Sequence, residues 1–383
     1  MTMPLDKTLL EALTTSVRRL VDERLIPAEA AVAEADAIPE PLVEQMRQLG
    51  LFGLSVPQEH GGLGLTMEEE VRVMLELGRA SPAFRSLIAT NVGIGSQGIV
   101  IDGTEAQRRR FLPQVASGEV IASFALTEPD VGSDAASVHT TARREGDFYV
   151  LDGTKRFITN ATRAGLFTVM ARTSSEIAGA AGVSAFIVTA PSEGLTIGRP
   201  ERKMGQHGTQ VADVVFDGCR VPADQLIGGV EGQGFRTAMK VLDRGRLGIA
   251  AACVGFAERI LEETVAYATG RRQFGAPISD FQLVQAMIAD SRTEAYAARC
   301  MVLETARAKD AGRAVGTEAS CCKLFASEMV GRVADRNVQV HGGAGYVADY
   351  PAERHYRDVR LYRIYEGTSE IQRLKIARDT VRA

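Results

Sequence analysis

The run Ile121-Ala-Ser-Phe-Ala-Leu126 is where the texture of the chain changes. Before it, apolar residues recur at helical spacing, as in Leu9, Leu13, Val17 and Leu20, and again in Val71, Met74, Leu75 and Leu77. Pro39 and Pro41 mark a helix start. After it come short β-branched or aromatic runs bounded by turn residues. Phe148-Tyr-Val-Leu151 follows Gly146-Asp147 and is closed by Asp152-Gly153, and Val183 to Thr189 and Val211 to Phe216 have the same form. These predict one mainly antiparallel sheet. Beyond the Gly-rich stretch 228–234 the helical period returns in long stripes. Leu247, Ala250, Cys253, Val254, Ala257 and Leu261 form one stripe. Phe281, Val284, Ile288, Ser291, Ala295, Ala298 and Val302 form a second, and Cys322, Phe325, Ala326, Met329, Val330, Val333 and Ala334 a third. Long amphipathic helices in succession predict a bundle. The expected fold is α+β, mainly α: a helical domain over 1–122, a β domain over 123–226 and a helical bundle over 227–383.

Composition narrows the function. At 383 residues, two to three domains are expected. With 45% hydrophobic and 24% charged residues the chain can bury a large core, which excludes disorder as its main state. A formal charge of −4 gives no basic excess for nucleic acid. The longest apolar stretch, near Leu247 to Ala257, is too short to span a bilayer. The opening residues carry Asp6 and Glu11 and have no signal-peptide pattern. Cys219, Cys253, Cys300, Cys321 and Cys322 show no metal-ligand spacing, so they read as reduced thiols in a cytoplasmic protein, and no metal is expected.

Gly93-Ile-Gly-Ser-Gln-Gly98 fits the dinucleotide fingerprint G-x-G-x-x-G. No buried strand precedes it and no βαβ pattern surrounds it, so the expected role is close packing of a helix. Phe124-Ala-Leu-Thr-Glu-Pro-Asp-Val-Gly-Ser133 runs from a strand into a loop that can present N–H groups and hydroxyls to a polar ligand, or be a plain β connection. Lys155-Arg-Phe-Ile-Thr-Asn160 ends the next strand with an aromatic and a hydroxyl. Asp243-Arg-Gly-Arg246 opens a long helix, and Arg271-Arg-Gln-Phe-Gly275 follows it with a guanidinium suited to phosphate. The glycines of Gln339-Val-His-Gly-Gly-Ala-Gly345 are either a helix C-cap or a place for close ligand approach. In Arg363-Ile-Tyr-Glu-Gly-Thr-Ser-Glu-Ile-Gln372, Ser369 and Gln372 have capping-box spacing. Glu366 therefore lies just before a helix N-terminus, where a dipole-stabilised surface carboxylate is the plain reading.

Jointly these segments, in this order and over about residues 40 to 380, resemble the acyl-CoA dehydrogenase family, and most of all its short-chain members. The resemblance implies an N-terminal helical domain, a middle β domain and a C-terminal four-helix bundle. It implies FAD as cofactor, an acyl-CoA as substrate, electron-transferring flavoprotein as acceptor, and a homotetramer. By position, Phe124, Ala125, Leu126, Thr127 and Ser133 would contact the flavin, with Phe157, Ile158 and Thr159 against its ring. Phe stands at 157 where the family often has Trp, which keeps stacking and loses an indole N–H. Arg271, Phe274, Gln282, Gln339, Gly342, Gly343, Thr368 and Glu370 would complete a cofactor site shared across a dimer boundary. Ser133, Asp243, Arg246 and Gly367 would hold substrate.

Glu366 would be the base that takes the α-proton, with its backbone N–H toward the thioester oxygen. Some relatives carry the base immediately before the arginine matching Arg246; here that place is Gly245. A carboxylate serves as such a base when an apolar pocket raises its pKa, and the helix N-terminus opposes this. Burial is expected to win. Phe84-Arg85-Ser86 aligns with the place where glutaryl-CoA dehydrogenases hold an arginine for the distal carboxylate, and Tyr365 fits that group, while Ala89 stands where it has serine. The rival readings are an acyl-CoA oxidase, a decarboxylating glutaryl-CoA dehydrogenase-like enzyme, and a catalytically silent flavin- and CoA-binding scaffold.

Overall fold

The computed structural model describes residues 4–382. Seven helices come first: α1 (Lys7–Leu20), α2 (Ile26–Ala35), α3 (Glu40–Gln48), α4 (Met67–Leu77), α5 (Pro82–Ala89), α6 (Gln97–Asp102) and α7 (Glu105–Ser117). Their starts follow local chemistry. Thr66 and Glu69 form a capping box at α4, and Thr104 and Gln107 form one at α7. Pro39 caps α3 and Pro41 sits in its first turn.

The sheet follows, as β1 (Ile121–Ala125), β2 (Thr141–Glu145), β3 (Phe148–Thr159), β4 (Ala164–Arg172), β5 (Val183–Thr189), β6 (Leu195–Ile197) and β7 (Val211–Pro222). The strand order is β1-β4-β2-β3-β7-β6, with β5 on β4. Most pairs are antiparallel, but β1 lies parallel to β4, with Phe124 opposite Thr168. Asp152-Gly153, expected to close a strand, instead lies inside β3. There the register against β7 shifts and Gly153 adopts φ 148°, so the glycine is a bulge and not a turn.

Four long or medium helices complete the chain: α8 (Gly234–Gly270), α9 (Gln282–Asp310), α10 (Gly316–His341) and, after α11 (Pro351–Val359), α12 (Ser369–Arg382). The Asp243–Arg246 segment therefore does not open a helix; α8 begins nine residues earlier, at Gly234. The cap of α12 also differs from expectation. Thr368 Oγ1 accepts from Ile371 N at 3.3 Å, while Ser369 Oγ donates to Glu328 at 2.6 Å and Gln372 donates backward to the 366–367 carbonyls.

One continuous core joins the N-terminal helices to the bundle, running from Val17 and Leu25 through Val71 and Phe84 to Leu247, Phe256, Met329 and Val333. Helix α4 crosses α8 closely because Gly78 and Gly255 have no side chain: a Cβ on Gly78 would meet Ala252 Cα at 2.6 Å, and one on Gly255 would strike the Leu75 carbonyl. The sheet is covered on both faces. Leu166 and Met170 of β4 face α7 with Phe111 and Leu112, while Phe167 and Val169 face Phe186 and Val214. Among the described residues no helix is long and apolar enough to cross a membrane.

Candidate active site

The G-x-G-x-x-G segment runs from a π-helical turn, Thr90–Gly95, into the first residues of α6. A Cβ on Gly95 would meet the Ala122 carbonyl at 2.6 Å, and Thr168 Oγ1 donates to the Gly95 carbonyl at 2.7 Å. This glycine lets the turn lie directly on β1, which brings the helical domain against the sheet.

At that junction, where α5, α8 and the segment before α12 also meet, is a cavity of about 330 Å³. Its wall collects Phe124, Leu126, Thr127, Ser133, Phe157, Ile158, Thr159, Arg85, Arg246, Glu366 and Gly367. Residues scattered over 280 positions of sequence thus share one chamber. Ala125 does not line it: on β1 its methyl points to the opposite face of the sheet, among Phe167 and Phe186. Asp243 is not in the wall either, and its carboxylate pairs with Arg246.

The loop after β1 is held by a buried anchor. Glu128 Oε1 accepts from Lys155 Nζ at 2.7 Å and from Thr140 Oγ1 at 2.6 Å, and Oε2 accepts from His139 N at 2.6 Å. Lys155 also donates to the Leu126 carbonyl at 3.1 Å. Burial works to raise the Glu128 carboxyl, but Lys155 and the Thr140 and His139 donors outweigh it and hold it below the ordinary range. Thr127 and Ser133 are thereby fixed at the cavity. Across it Phe157 has φ 58° and is 56% exposed, with the Arg156 guanidinium 5.0 Å from the ring centroid.

Glu366 stands on two successive left-handed residues, with φ 51° at 366 and 88° at Gly367. That geometry is strained for a glutamate, and three hydrogen bonds from two side chains hold it. Gln372 Nε2 donates to the carbonyls of Glu366 and Gly367 at 3.1 and 3.2 Å, and Lys323 Nζ donates to that of Gly367 at 2.7 Å. Glu366 Oε2 is buried with no hydrogen-bond partner. Burial raises its pKa above the ordinary glutamate value, against the charges of Arg85, Lys323 and Arg246. A Cβ on Gly245 would collide with this carboxylate, so the glycine of α8 makes its room.

Arg85 is 4% exposed, and its Nε has no partner. No carboxylate pairs with it among the described residues.

The other expected site residues lie apart from the cavity. Arg271, Phe274, Gln282, Gln339, Gly342 and Gly343 gather, exposed, at the bundle end where α8 stops, α9 begins and α10 ends, around a small cluster of Ala268, Ile278 and Val340. Phe274 is 95% exposed. Thr368 caps α12 and Glu370 is exposed in its first turn. Sequence reasoning passed over Glu128, Lys155 and Lys323. The first two were legible as an acid and a base embedded in the quoted motifs, and the third as a lone lysine within an apolar stripe.

Comparison with known proteins agrees with this architecture. The family models described as acyl-CoA dehydrogenase N-terminal, middle and C-terminal domains match residues 9–119, 123–219 and 232–380. The chain is 39% identical over 373 residues to the human mitochondrial short-chain specific acyl-CoA dehydrogenase, covering 97% of this chain and 90% of that one. The solved structure of butyryl-CoA dehydrogenase from Megasphaera elsdenii superposes with a TM-score of 0.94 at 33% identity, over 100% of both chains. A glutaryl-coenzyme A dehydrogenase in complex with glutaryl-CoA superposes with a TM-score of 0.93 at 33% identity, over 100% of this chain and 97% of that one. With its helical, sheet and helical domains assembled around one chamber, the chain belongs to the acyl-CoA dehydrogenase family and is an FAD-dependent oxidoreductase.

Proposed function

We propose that the protein dehydrogenates an acyl-CoA thioester between Cα and Cβ to the trans-2-enoyl-CoA, with Glu366 as the base. The carrying observation is the Glu366 carboxylate, whose Oε2 is buried and unpartnered at the wall of the cavity. A proton beside a thioester carbonyl is weakly acidic, so its removal needs a base whose pKa is lifted toward the working pH. Burial does this at Glu366. The Glu366 N–H meets no acceptor within the described chain, and is the donor for the charge that develops on the thioester oxygen. Arg246, with Nε unpartnered at the cavity wall, and Ser133 would hold the CoA side.

The residues fit FAD. Phe157 presents a half-exposed ring to a chamber edged by the Thr127, Ser133 and Thr159 hydroxyls, a surface a flat heteroaromatic ring would cover. Phe124, Leu126 and Ile158 would complete that wall. FAD, when bound, supplies the acceptor for the β-hydrogen and its electron pair. Arg271, Phe274, Gln282, Gln339, Gly342 and Gly343 would hold its diphosphate and adenosine portion in company with a second subunit of a homotetramer, with electron-transferring flavoprotein as the next electron carrier. Replacing Arg271 by alanine should lower flavin occupancy and loosen the oligomer together. A charge-assisted contact is worth roughly 1.5–3 kcal/mol. Unchanged flavin absorbance and unchanged mass by light scattering would refute this.

The buried, unpaired Arg85 in the same wall favours an acyl group bearing a second carboxylate at its far end. The test is anaerobic flavin bleaching with straight, branched, aromatic and dicarboxylic acyl-CoAs. Enoyl-CoA formation with glutaryl-CoA ahead of butyryl-CoA is the expected result. No bleaching by any of them would support the silent scaffold instead, and rapid reoxidation of the reduced protein by dioxygen would support the oxidase.

A further inference from the structure

Lys323 acts on Glu366 electrostatically, has no ion pair among the described residues, and is left unused by the chemistry above. It lies on α10 in the stripe packed against α8 and is 0% exposed. Its only hydrogen bond among the described residues runs from Nζ to the Gly367 carbonyl, at 2.7 Å. It does not line the cavity, so it does not touch substrate. A buried ammonium without a carboxylate partner is costly, and Met or Leu would fill the same stripe at lower cost.

The surroundings show what the charge faces. Around Glu366 stand Arg85 from α5, Glu70 from α4, Arg244 and Arg246 from α8, Lys323 from α10, and Tyr365 on its own segment. Arg244 pairs with Glu70 and Arg246 with Asp243. Among the described residues, Arg85 and Lys323 are the two of these cations left without an ion pair. The thiol of Cys253 beside Lys323 is pushed up to about 12 by burial, so it is neutral. Tyr365 is likewise raised by burial and stays a phenol. Burial brings Lys323 itself down to about 8, so it is protonated through neutral pH and below.

Resting on the reading of Glu366 as base, we infer that Lys323 is its positioning residue. The ammonium clamps the Gly367 carbonyl, which fixes the left-handed backbone that carries Glu366, and its positive charge favours the ionised carboxylate over the protonated one. Arg85 supplies charge from the substrate side; Lys323 supplies it from behind, where no acyl group displaces it.

The experiment is single-turnover flavin bleaching of the holoenzyme by butyryl-CoA from about pH 5 to about pH 9, a range spanning the base's limb, in wild type, Lys323→Met, Lys323→Gln and Lys323→Arg. Met and Gln should move the acid limb toward alkaline pH by on the order of one unit, while the acyl-CoA concentration giving half-maximal rate stays put. Arg should keep the limb where wild type has it. Gln can still donate to Gly367, so a limb shift in both Met and Gln separates charge from clamp. Acid limbs coinciding with wild type in both variants overturn the inference even if the rates fall, because lost packing slows a reaction without moving a titration. If Lys323→Met fails to retain flavin, Lys323→Gln alone carries the measurement. Glu366→Gln run alongside distinguishes the two failures. Rapid bleaching there removes the base assignment, whereas a silent Glu366→Gln with unmoved Lys323 limbs removes only the role of Lys323.

Discussion

Glu366→Gln should yield a folded, yellow protein that binds acyl-CoA and hardly reduces its flavin. The amide keeps the volume of the carboxyl, and the backbone clamp from Gln372 and Lys323 acts on the 366–367 carbonyls, so packing survives. What is lost is the proton acceptor. A positioned base is typically worth about 10²–10⁴-fold, and a carbon acid this weak places the loss at or beyond the upper end. The pH dependence gives a second signature. Because burial lifts Glu366 above the ordinary glutamate value, wild-type bleaching should fall as pH drops through a limb displaced upward from that value. The rate is present when the carboxylate is ionised, above the limb, and lost below it. In the glutamine variant the limb should vanish. Anaerobic stopped-flow bleaching, with a ligand-induced spectral shift to show binding, measures both. A variant within about tenfold of wild type, well short of the range expected for a lost base, would place the base elsewhere.

Arg85→Met should invert substrate preference. In wild type a distal carboxylate would find a guanidinium already buried and without an ion pair, so the cost of burying that cation is already met. Removing one partner of a buried pair costs about 3–5 kcal/mol, so glutaryl-CoA should lose on the order of 10² or more in rate constant over half-saturation. Butyryl-CoA, whose methyl end meets methionine instead of an unpaired cation, should become the better substrate. Arg85 also helps ionise Glu366, so the comparison belongs above the acid limb, where that effect is saturated. A wild-type enzyme that already prefers neutral chains would remove the proposal.

Much of the fold was readable in the residues, and the exceptions have physical causes. The stripe from Cys322 to Ala334 was legible as one face of α10 because its buried positions follow the helical period. The segment before Gly93 could be told from a nucleotide-binding strand because Thr90 and Asn91 interrupt its apolar run, and it is the end of α5 and the turn that follows. Strand β4 went unmarked. Both its faces are buried, so Leu166 to Ala171 is apolar but for Thr168 and has no alternation to betray it. The bulge at Gly153 looked like a turn because a glycine after an aspartate serves either purpose. The start of α8 lies nine residues ahead of Asp243 because Gly234 sits at its first position, where a glycine reads as part of the preceding loop, although Phe235, Met239 and Val241 already pack inward. In the chamber, single motifs were legible and their meeting was not. Nothing local to Phe84-Arg85-Ser86 says that its guanidinium ends beside Glu366, since that contact is made by the packing of α5 against the segment before α12.

The glycine at 245 also bears on how such a catalyst can change. A side chain there and a carboxylate at 366 compete for the same few cubic ångströms. A side chain at 245 therefore displaces the carboxylate of 366 from its seat, and the changes that would move the base are epistatic. Gly245→Glu alone should damage the enzyme that still has Glu366, and Glu366→Gly alone should leave it without a base, yet the double variant should recover part of the bleaching rate. Combining Gly245→Glu with glutamine at 366 would fail to do so, because glutamine keeps the bulk that must be cleared. A population drifting by single substitutions meets an inactive intermediate on either route. Bleaching rates and melting temperatures for the four combinations would map that valley, and additive effects would show that it does not exist.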